Sequence, residues 1–159
     1  MIDHAVTTRR LTVNAAFLKE IKDDNLQLKS ILDQLASLTE HCQTAINHWP
    51  ELIELFDSLR DQLALHFALE EAYGYFDDAI GGEPQLSVVA ECLRSEHGKL
   101  FESVRHIAER SKEISGDKEE EVTRLLRRVA EFRRMFEKHE GAELELILKA
   151  LDEDIGVGD

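Results

Sequence analysis

Cysteine and proline are scarce in this sequence, which has two of each among 159 residues. Cys42 and Cys92 are too few for a disulfide framework and do not form a C-x-x-C pair, so we expect both to be small buried hydrophobic residues. The prolines, Pro50 and Pro84, fall where the apolar pattern pauses rather than inside it. This distribution predicts a chain made mostly of long helices.

Basic charge and long apolar runs are also lacking. The chain has 33 acidic and 19 basic residues, for a formal net charge of −14, which repels phosphate backbones and anionic lipid surfaces. No stretch approaches the roughly 18 apolar residues of a membrane span, and the N-terminal segment contains no apolar signal sequence. We therefore expect a soluble, cytoplasmic protein with neither nucleic acid nor a membrane as a partner.

The signatures of several enzyme classes are missing as well. The sequence offers no activated nucleophile, no dyad of general acid and base, and no phosphate-binding loop, so a hydrolase or a transferase has no support. Whether the protein is an enzyme stays open at this stage. A metal-binding or sensor protein fits the sequence better, because ionisable residues interrupt its apolar pattern.

Four stretches are present in which apolar residues recur at alternating steps of three and four, the spacing of helices that pack in a bundle. They predict helices over residues 12–45, 50–76, 86–115 and 117–152. Short connections imply antiparallel neighbours, so the expected fold is all-α, an up-down-up-down antiparallel four-helix bundle. The bundle would span residues 12–152, with terminal extensions at 1–11 and 153–159.

Polar side chains replace apolar ones at one position of each predicted helix. In a chain that folds back on itself, two residues equidistant from a break lie at the same height, because each residue adds about 1.5 Å of rise. His66 and His97 are equidistant from the glycine pair at 81–82, and His97 and His139 from residue 118 in the segment SGDKEEE. Asn25 and His66 are equidistant from the break INHWP. We expect these four residues to form one layer.

Two glutamates join this layer. Glu70 and Glu143 each lie four residues after a histidine, on the same helix face one turn further along. Burying bare carboxylates in an apolar interior costs several kcal/mol each, so protons, cations or a metal must neutralise them. No Lys or Arg lies on the predicted inward faces near this height, which favours a metal.

The donor types narrow the choice of metal. Imidazole with carboxylate suits iron, manganese or zinc, whereas calcium and magnesium prefer oxygen alone. Two His-x-x-x-Glu pairs on facing helices also supply two carboxylates able to bridge, which indicates two metals roughly 3.5–4 Å apart. A ferritin-like site would require Glu-x-x-His, but the residues three before the histidines are Leu63, Arg94 and Phe136.

The segments LALHFALEE, SEHGKLFES and KHEGAELELIL, in this order and spacing, resemble the hemerythrin-like (HHE cation-binding) domain family over roughly residues 12–152. The resemblance implies a four-helix bundle with two bridging glutamates and three histidines as metal ligands: Glu70, Glu143, His66, His97 and His139. It also implies a non-haem di-iron centre that binds a small ligand, such as dioxygen, nitric oxide or peroxide, or that senses iron or redox state. The cofactor would be two iron ions, with zinc or manganese as alternatives.

One position departs from the family pattern. Asn25 stands where the family has its first histidine, and an amide oxygen is a weak ligand compared with imidazole. The second iron position is therefore expected to be weak, with Asn25 either a ligand or only a hydrogen-bonding partner. The alternative function is a metal-depleted or mononuclear zinc or iron module that serves interaction or regulation. The sequence identifies no protein partner.

Other ionisable residues are expected at the surface. Four histidines lie outside the layer: His4, His41, His48 and His106. The basic run RLLRRVAEFRRMF in the last helix is expected to be a solvated face rather than a partner site.

Overall fold

The computed structural model describes residues 3–72 and 84–157, with side chains for residues 19–71 and 84–150. Within these residues the chain is helical and forms no strand, so the predicted all-α fold class is confirmed. Five helices are described: α1 Asp3–Thr39, α2 Cys42–Asn47, α3 Trp49–Ala72, α4 Pro84–Glu113 and α5 Glu119–Val157. None of these helices is both long and apolar enough to cross a membrane.

The helix bounds differ in part from the sequence prediction. The first helix begins at Asp3 and ends at Thr39, after which the chain bends and continues as the short α2. The Thr39 hydroxyl donates a hydrogen bond to the Leu35 carbonyl oxygen at 2.6 Å, a type of contact that often bends helices. The last helix extends to Val157, beyond the predicted end. The expected end of the second helix near residue 76 and the glycine break lie outside the described residues.

Successive long helices are neighbours. The first packs against α3, α3 against α4, and α4 against α5, while α2 contacts α1, α3 and α5. The apolar residues buried between them form one large core that includes Leu35, Phe56, Leu63, Val104 and Phe132. The inward faces predicted for α4 and α5 are buried throughout, because their apolar spacing keeps one face of each helix towards its neighbours.

A second, smaller apolar cluster lies apart from the large core and joins α4 to α5. Its buried members are Leu86, Ala90, Leu93, Leu146 and Ala150. The two clusters are separated along α4 by His97 and along α5 by His139 and Glu143, all of which are buried. A buried polar layer thus lies between two apolar regions.

Close packing at the turn between α4 and α5 depends on Gly116. A Cβ atom at this position would lie 2.9 Å from the ring of Trp49, the buried first residue of α3. Real Cβ atoms do not approach neighbours so closely, so a larger residue would push the turn off the indole. The glycine therefore lets the turn lie directly against the start of α3.

The two cysteines do not share the buried environment expected from the sequence. Cys42 is half-buried, with its Sγ 3.4 Å from the hydroxyl oxygen of Thr123. Cys92 is exposed, so the prediction for this residue is wrong. It directly precedes the buried Leu93 in α4 and therefore points away from the inward face of the helix.

Candidate metal centre

The buried polar layer brings together the five ionisable residues predicted for the site: His66, Glu70, His97, His139 and Glu143. The first pair comes from α3, the single histidine from α4 and the last pair from α5. Each of the five residues is between 2% and 6% exposed. Their meeting in the interior follows from the spacing of the sequence, while their role as metal ligands stays a prediction.

Each histidine turns its Nε2 atom towards the centre of the layer. His66 Nε2 lies 3.0 Å from Glu70 Oε1, and His97 Nε2 lies 3.1 Å from Glu70 Oε2. His139 Nε2 lies 2.6 Å from Glu143 Oε1, and this oxygen is also 3.4 Å from His97 Nε2. Three imidazole nitrogens and two carboxylates therefore converge on one small volume.

The other ring nitrogen of each histidine faces a further carboxylate. The distances from Nδ1 are 2.6 Å for His66 to Asp24, 3.3 Å for His97 to Glu71, and 2.7 Å for His139 to Glu96. A carboxylate in this place keeps the proton on Nδ1 and leaves the Nε2 lone pair available to a metal. It also fixes the orientation of the ring. All three histidines thus have the surroundings that metal-ligating histidines usually have.

Two glutamates are shared between two groups of candidate ligands. The inner group comprises Glu70, His97, His139 and Glu143, and the outer group comprises His66, Glu70, Glu140 and Glu143. Within each group, one ligand atom from every residue lies within 4.8 Å of the others. The inner group is buried throughout, whereas Glu140 makes the outer group partly exposed. Carboxylates common to two groups are what a pair of neighbouring metal ions requires.

Two buried atoms of the inner group, Glu70 Oε2 and His139 Nε2, have no hydrogen-bond partner. His97 Nε2 lies 3.1 Å from the first and Glu143 Oε1 2.6 Å from the second, but the directions do not suit hydrogen bonds. A buried polar atom left unpaired costs about 1–3 kcal/mol. A cation among these atoms would satisfy both of them. The residues present therefore fit a bound metal.

The surroundings of His66 favour its charged form when no metal is present. Burial acts to lower the pKa of this imidazole, but hydrogen bonds with Asp24, Glu140 and Glu70 outweigh burial and raise the pKa to about 12. A proton then occupies each ring nitrogen at neutral pH. A metal that binds Nε2 must displace one of them.

The pKa values of the other two histidines are also raised. Burial opposes their charged forms, but the nearby carboxylates of Glu143 and Glu70 raise the pKa of His97 to about 9. Burial likewise opposes the charged form of His139, but the nearby carboxylates of Glu143 and Glu96 raise its pKa. Conversely, burial would raise the pKa of Glu70, but the nearby imidazoles of His66 and His97 lower it to about 2. Without a metal, these pKa shifts favour the imidazolium form of the three histidines and the carboxylate form of Glu70.

Asn25 does not lie in the buried layer, and the predicted placement of this residue is wrong. Asn25 is exposed, while the preceding residue, Asp24, is 5% exposed and contacts His66. The other carboxylate oxygen of Asp24 accepts a hydrogen bond from Gln62 Nε2 at 2.7 Å. Inward positions on a helix recur after three or four residues, so Asp24 and Asn25 both fit the spacing from Ile21 and Leu28. The sequence pattern could not decide between these two neighbours.

Glu140 is the candidate ligand that the sequence analysis missed. It directly follows His139, off the inward face of α5, and its Oε1 lies 2.8 Å from His66 Nε2. A helix turns by about 100° per residue, so the residue after an inward histidine can reach a neighbouring helix. The acidic residue next to His139 was the available signal.

A cavity of about 360 Å³ opens onto the outer group. Its wall contains polar and apolar residues: Ile21, Asp24, Asn25, His66, Leu69, Glu70, Glu140, Gly141, Glu143, Leu144 and Ile147. Both shared glutamates contribute to this wall, but His97 and His139 do not. Access through this cavity therefore leads to the side of the layer held by His66.

Aromatic rings hold the imidazoles in place. Phe67 stacks on His97, with ring centroids 4.0 Å apart and an angle of 10° between the planes, and meets His139 edge-on at 6.0 Å. Phe136 meets His66 edge-on at 6.1 Å. Packed rings cannot rotate freely, so the Nε2 atoms keep their direction in the absence of a ligand.

The residues predicted to lie outside the site are at the surface where they are described. His41, His48 and His106 are exposed, as expected, and the side chain of His4 lies outside the described residues. In the basic run of α5, Arg133 is half-buried and four arginines are exposed: Arg124, Arg127, Arg128 and Arg134. Four of the five arginines are therefore accessible to solvent, and the absence of a partner site on this face stays a prediction.

The family model for the hemerythrin HHE cation binding domain matches residues 16–151, which include every residue of the inner and outer groups. No curated protein and no solved structure matches the chain.

Proposed function

This chain belongs to the hemerythrin family of HHE cation-binding domains, and on that premise we propose that it binds two iron ions in the polar layer and presents them to a small diatomic ligand. The observation that carries the proposal is the sharing of Glu70 and Glu143 between two groups of ligands. Each group has imidazole and carboxylate donors, the combination that suits iron. Zinc and manganese are the alternatives with the same preference.

A metal explains features of the layer that protons do not. Protonated histidines neutralise the buried carboxylates, but they leave Glu70 Oε2 and His139 Nε2 without hydrogen bonds. The three carboxylates at Nδ1 satisfy ring N–H groups in the metal-free protein, and their placement is also the one that orients metal-bound imidazoles. In the proposed centre, both positions would share Glu70 and Glu143, while His97 and His139 would hold the inner metal and His66 the outer one.

The cavity supports a small ligand. The cavity has a volume of about 360 Å³, and half-buried Ile21, Leu69 and Ile147 line its apolar part. Such a site suits dioxygen or nitric oxide better than a large substrate. Iron, when bound, supplies the ability to coordinate such a ligand and to change oxidation state. The chain's own residues would hold the ions and restrict the access of water to them.

Two further parts of the proposal concern the whole chain. The order of neighbours α1, α3, α4 and α5 supports an up-down-up-down four-helix bundle over residues 12–152. The two free cysteines, one of them exposed, fit a reducing compartment such as the cytoplasm. The net charge of −14 supports an absence of nucleic-acid and membrane partners.

A mononuclear zinc or iron module is the second candidate function. It is favoured by the difference in burial between the groups, because the inner group is enclosed and has four ligands of its own. Four nitrogen and oxygen ligands are the usual number for a closed zinc site. In this case the domain would serve interaction or regulation, without a redox role.

Anaerobic iron loading distinguishes these functions. We expect two ions per chain after excess Fe²⁺ is removed, and a visible spectrum that changes when dioxygen or nitric oxide is added. His139→Ala should reduce the iron content, whereas the matched variant His106→Ala, which alters an exposed histidine, should not. One ion per chain after loading with Fe²⁺, or with Zn²⁺ in a parallel sample, and no spectral response to either gas would support the mononuclear module. A chain that retains no metal would contradict both.

A further inference from the structure

Apart from the shared Glu70 and Glu143, Glu140 is placed differently from the acidic residues that contact the histidines of the layer. Its Oε1 lies 2.8 Å from Nε2 of His66, the nitrogen that faces the centre, and its side chain is 37% exposed. By contrast, Asp24, Glu71 and Glu96 contact histidines at Nδ1, the nitrogen that faces away. Glu140 is therefore positioned to reach a metal directly, whereas the other three can act only through an imidazole.

The geometry of α5 explains how one helix serves both groups. His139 belongs to the inner group and the next residue, Glu140, to the outer group. Successive helical residues point about 100° apart, so their side chains diverge to either side of the inward direction. Glu143, one turn further along and common to both groups, lies between them. A single turn of α5 thus supplies one private ligand to each position and one shared ligand.

The first helix does not complete the outer group. Asp24 uses one oxygen on Nδ1 of His66 and the other on Gln62, so it is engaged on the far side of the ring. Asn25 is exposed and contributes only to the cavity wall. Without Glu140, the outer position would have a single ligand of its own, His66, beside the two shared glutamates.

We propose that Glu140 is a terminal ligand of the outer metal and replaces a donor from the first helix. This inference rests on the proposed two-metal function. It makes the positions chemically unequal: the outer one has one imidazole and three carboxylates, and the inner one has two imidazoles and two carboxylates. Carboxylate oxygens suit manganese and iron, whereas imidazole suits zinc as well. The preference for zinc over manganese or iron is therefore smaller at the outer position than at the inner one.

The test is an anaerobic titration of the metal-free protein with Mn²⁺ alone, and separately with Fe²⁺ alone, in the presence of a competing indicator. Glu140→Ala removes the donor, and Glu140→Gln keeps the shape while replacing a carboxylate oxygen by a weaker amide. Glu145→Ala is the matched control, because Glu145 is an exposed acidic residue of the same helix whose partner among the described side chains is Lys149 at 3.6 Å. Circular dichroism of each metal-free variant shows whether the helical fold is kept.

We expect two binding steps for the wild type and for Glu145→Ala. In Glu140→Ala the weaker step should be lost, and in Glu140→Gln it should weaken by at least about tenfold, while the tighter step is unchanged. Two unchanged steps in both Glu140 variants would overturn this inference and leave the two-metal centre standing. A single step in the wild type that the Glu140 variants do not alter would also overturn it, in favour of a mononuclear site. A wild type that binds neither ion would overturn the proposed function and this inference together.

Discussion

Asp24 Oδ2 lies 2.6 Å from Nδ1 of His66, and both side chains are almost completely buried. The two residues are 42 positions apart in the sequence and belong to α1 and α3. This pair links the first helix, which supplies no residue to the inner or outer group, to the ring that would bind the outer metal. Asp24 is therefore a positioning residue, and its effect should be specific to one metal position.

Asp24→Asn tests this role. The amide can still accept a hydrogen bond from Nδ1, but it carries no charge and polarises the ring less. We expect the affinity of the weaker metal step to fall by about 10- to 100-fold, with the tighter step unchanged. The exposed neighbour gives the control, Asp23→Asn, which should bind as the wild type does. Equal affinities for both variants would show that Asp24 has only a structural role.

Glu70→Ala should affect both positions, in contrast to the Glu140 variants. One oxygen of Glu70 lies 3.0 Å from His66 Nε2 and the other 3.1 Å from His97 Nε2, so the side chain spans the two groups. Its removal takes a ligand from each ion, and we expect both titration steps to weaken by at least about tenfold. Glu54→Ala, at an exposed position of the same helix, is the control. A loss confined to one step would show that Glu70 does not bridge.

The chelated protein should be less stable at alkaline pH. His97 has a folded-state pKa of about 9 against an ordinary value of 6.5, so its contribution to stability is complete below pH 6.5 and is lost as the pH rises through 9. Glu70 has a pKa of about 2 against 4.5, so its contribution is complete above pH 4.5 and is lost as the pH falls towards 2. These groups together predict a plateau between pH 4.5 and 6.5.

Thermal melts in the presence of a chelator, from pH 5 to 9.5, measure this effect. The iron-loaded protein is the control, because a bound metal replaces the protons on Nε2 and should remove the alkaline decline. We therefore expect the two melting temperatures to diverge as the pH approaches 9. A melting temperature of the chelated protein that rises over this range would contradict the assignment of imidazolium charges to the layer.

Gly141→Leu should slow ligand binding without removing metal. Gly141 lies on the cavity wall, and a Cβ atom there would meet nothing within 4 Å, so a leucine fits but narrows the opening. Gly98→Leu is the matched control, since its Cβ also meets nothing within 4 Å and the residue is not on that wall. Both changes replace a helical glycine, and a glycine within a helix lowers stability by about 0.5–1 kcal/mol relative to alanine. Stopped-flow mixing with nitric oxide should show several-fold slower binding for Gly141→Leu alone, and equal rates would exclude this route of entry.

The sequence analysis placed buried polar residues most accurately in long helices that have a single inward face. His97, His139 and Glu143 were placed correctly because α4 and α5 keep their apolar spacing on both sides of the layer. On α1 the spacing left Asp24 and Asn25 equally acceptable, and only the packing against α3 decides which is buried. Glu140 lies one residue off the inward face, where a pattern of apolar spacing carries no information about ligands.

Among the residues whose side chains are described, the small apolar cluster of α4 and α5 has five buried members, which form a much smaller apolar contact than the large core does. The segments around Leu86 and Leu146 are attached to the large core through the polar layer, so contacts within the layer determine how often they open. A bound cation would cross-link the layer and slow amide hydrogen exchange in these segments, whereas amides beside Phe56 and Phe132 would exchange only on global unfolding. Metal binding in the buried layer would therefore reduce the local motion of the segments around Leu86 and Leu146.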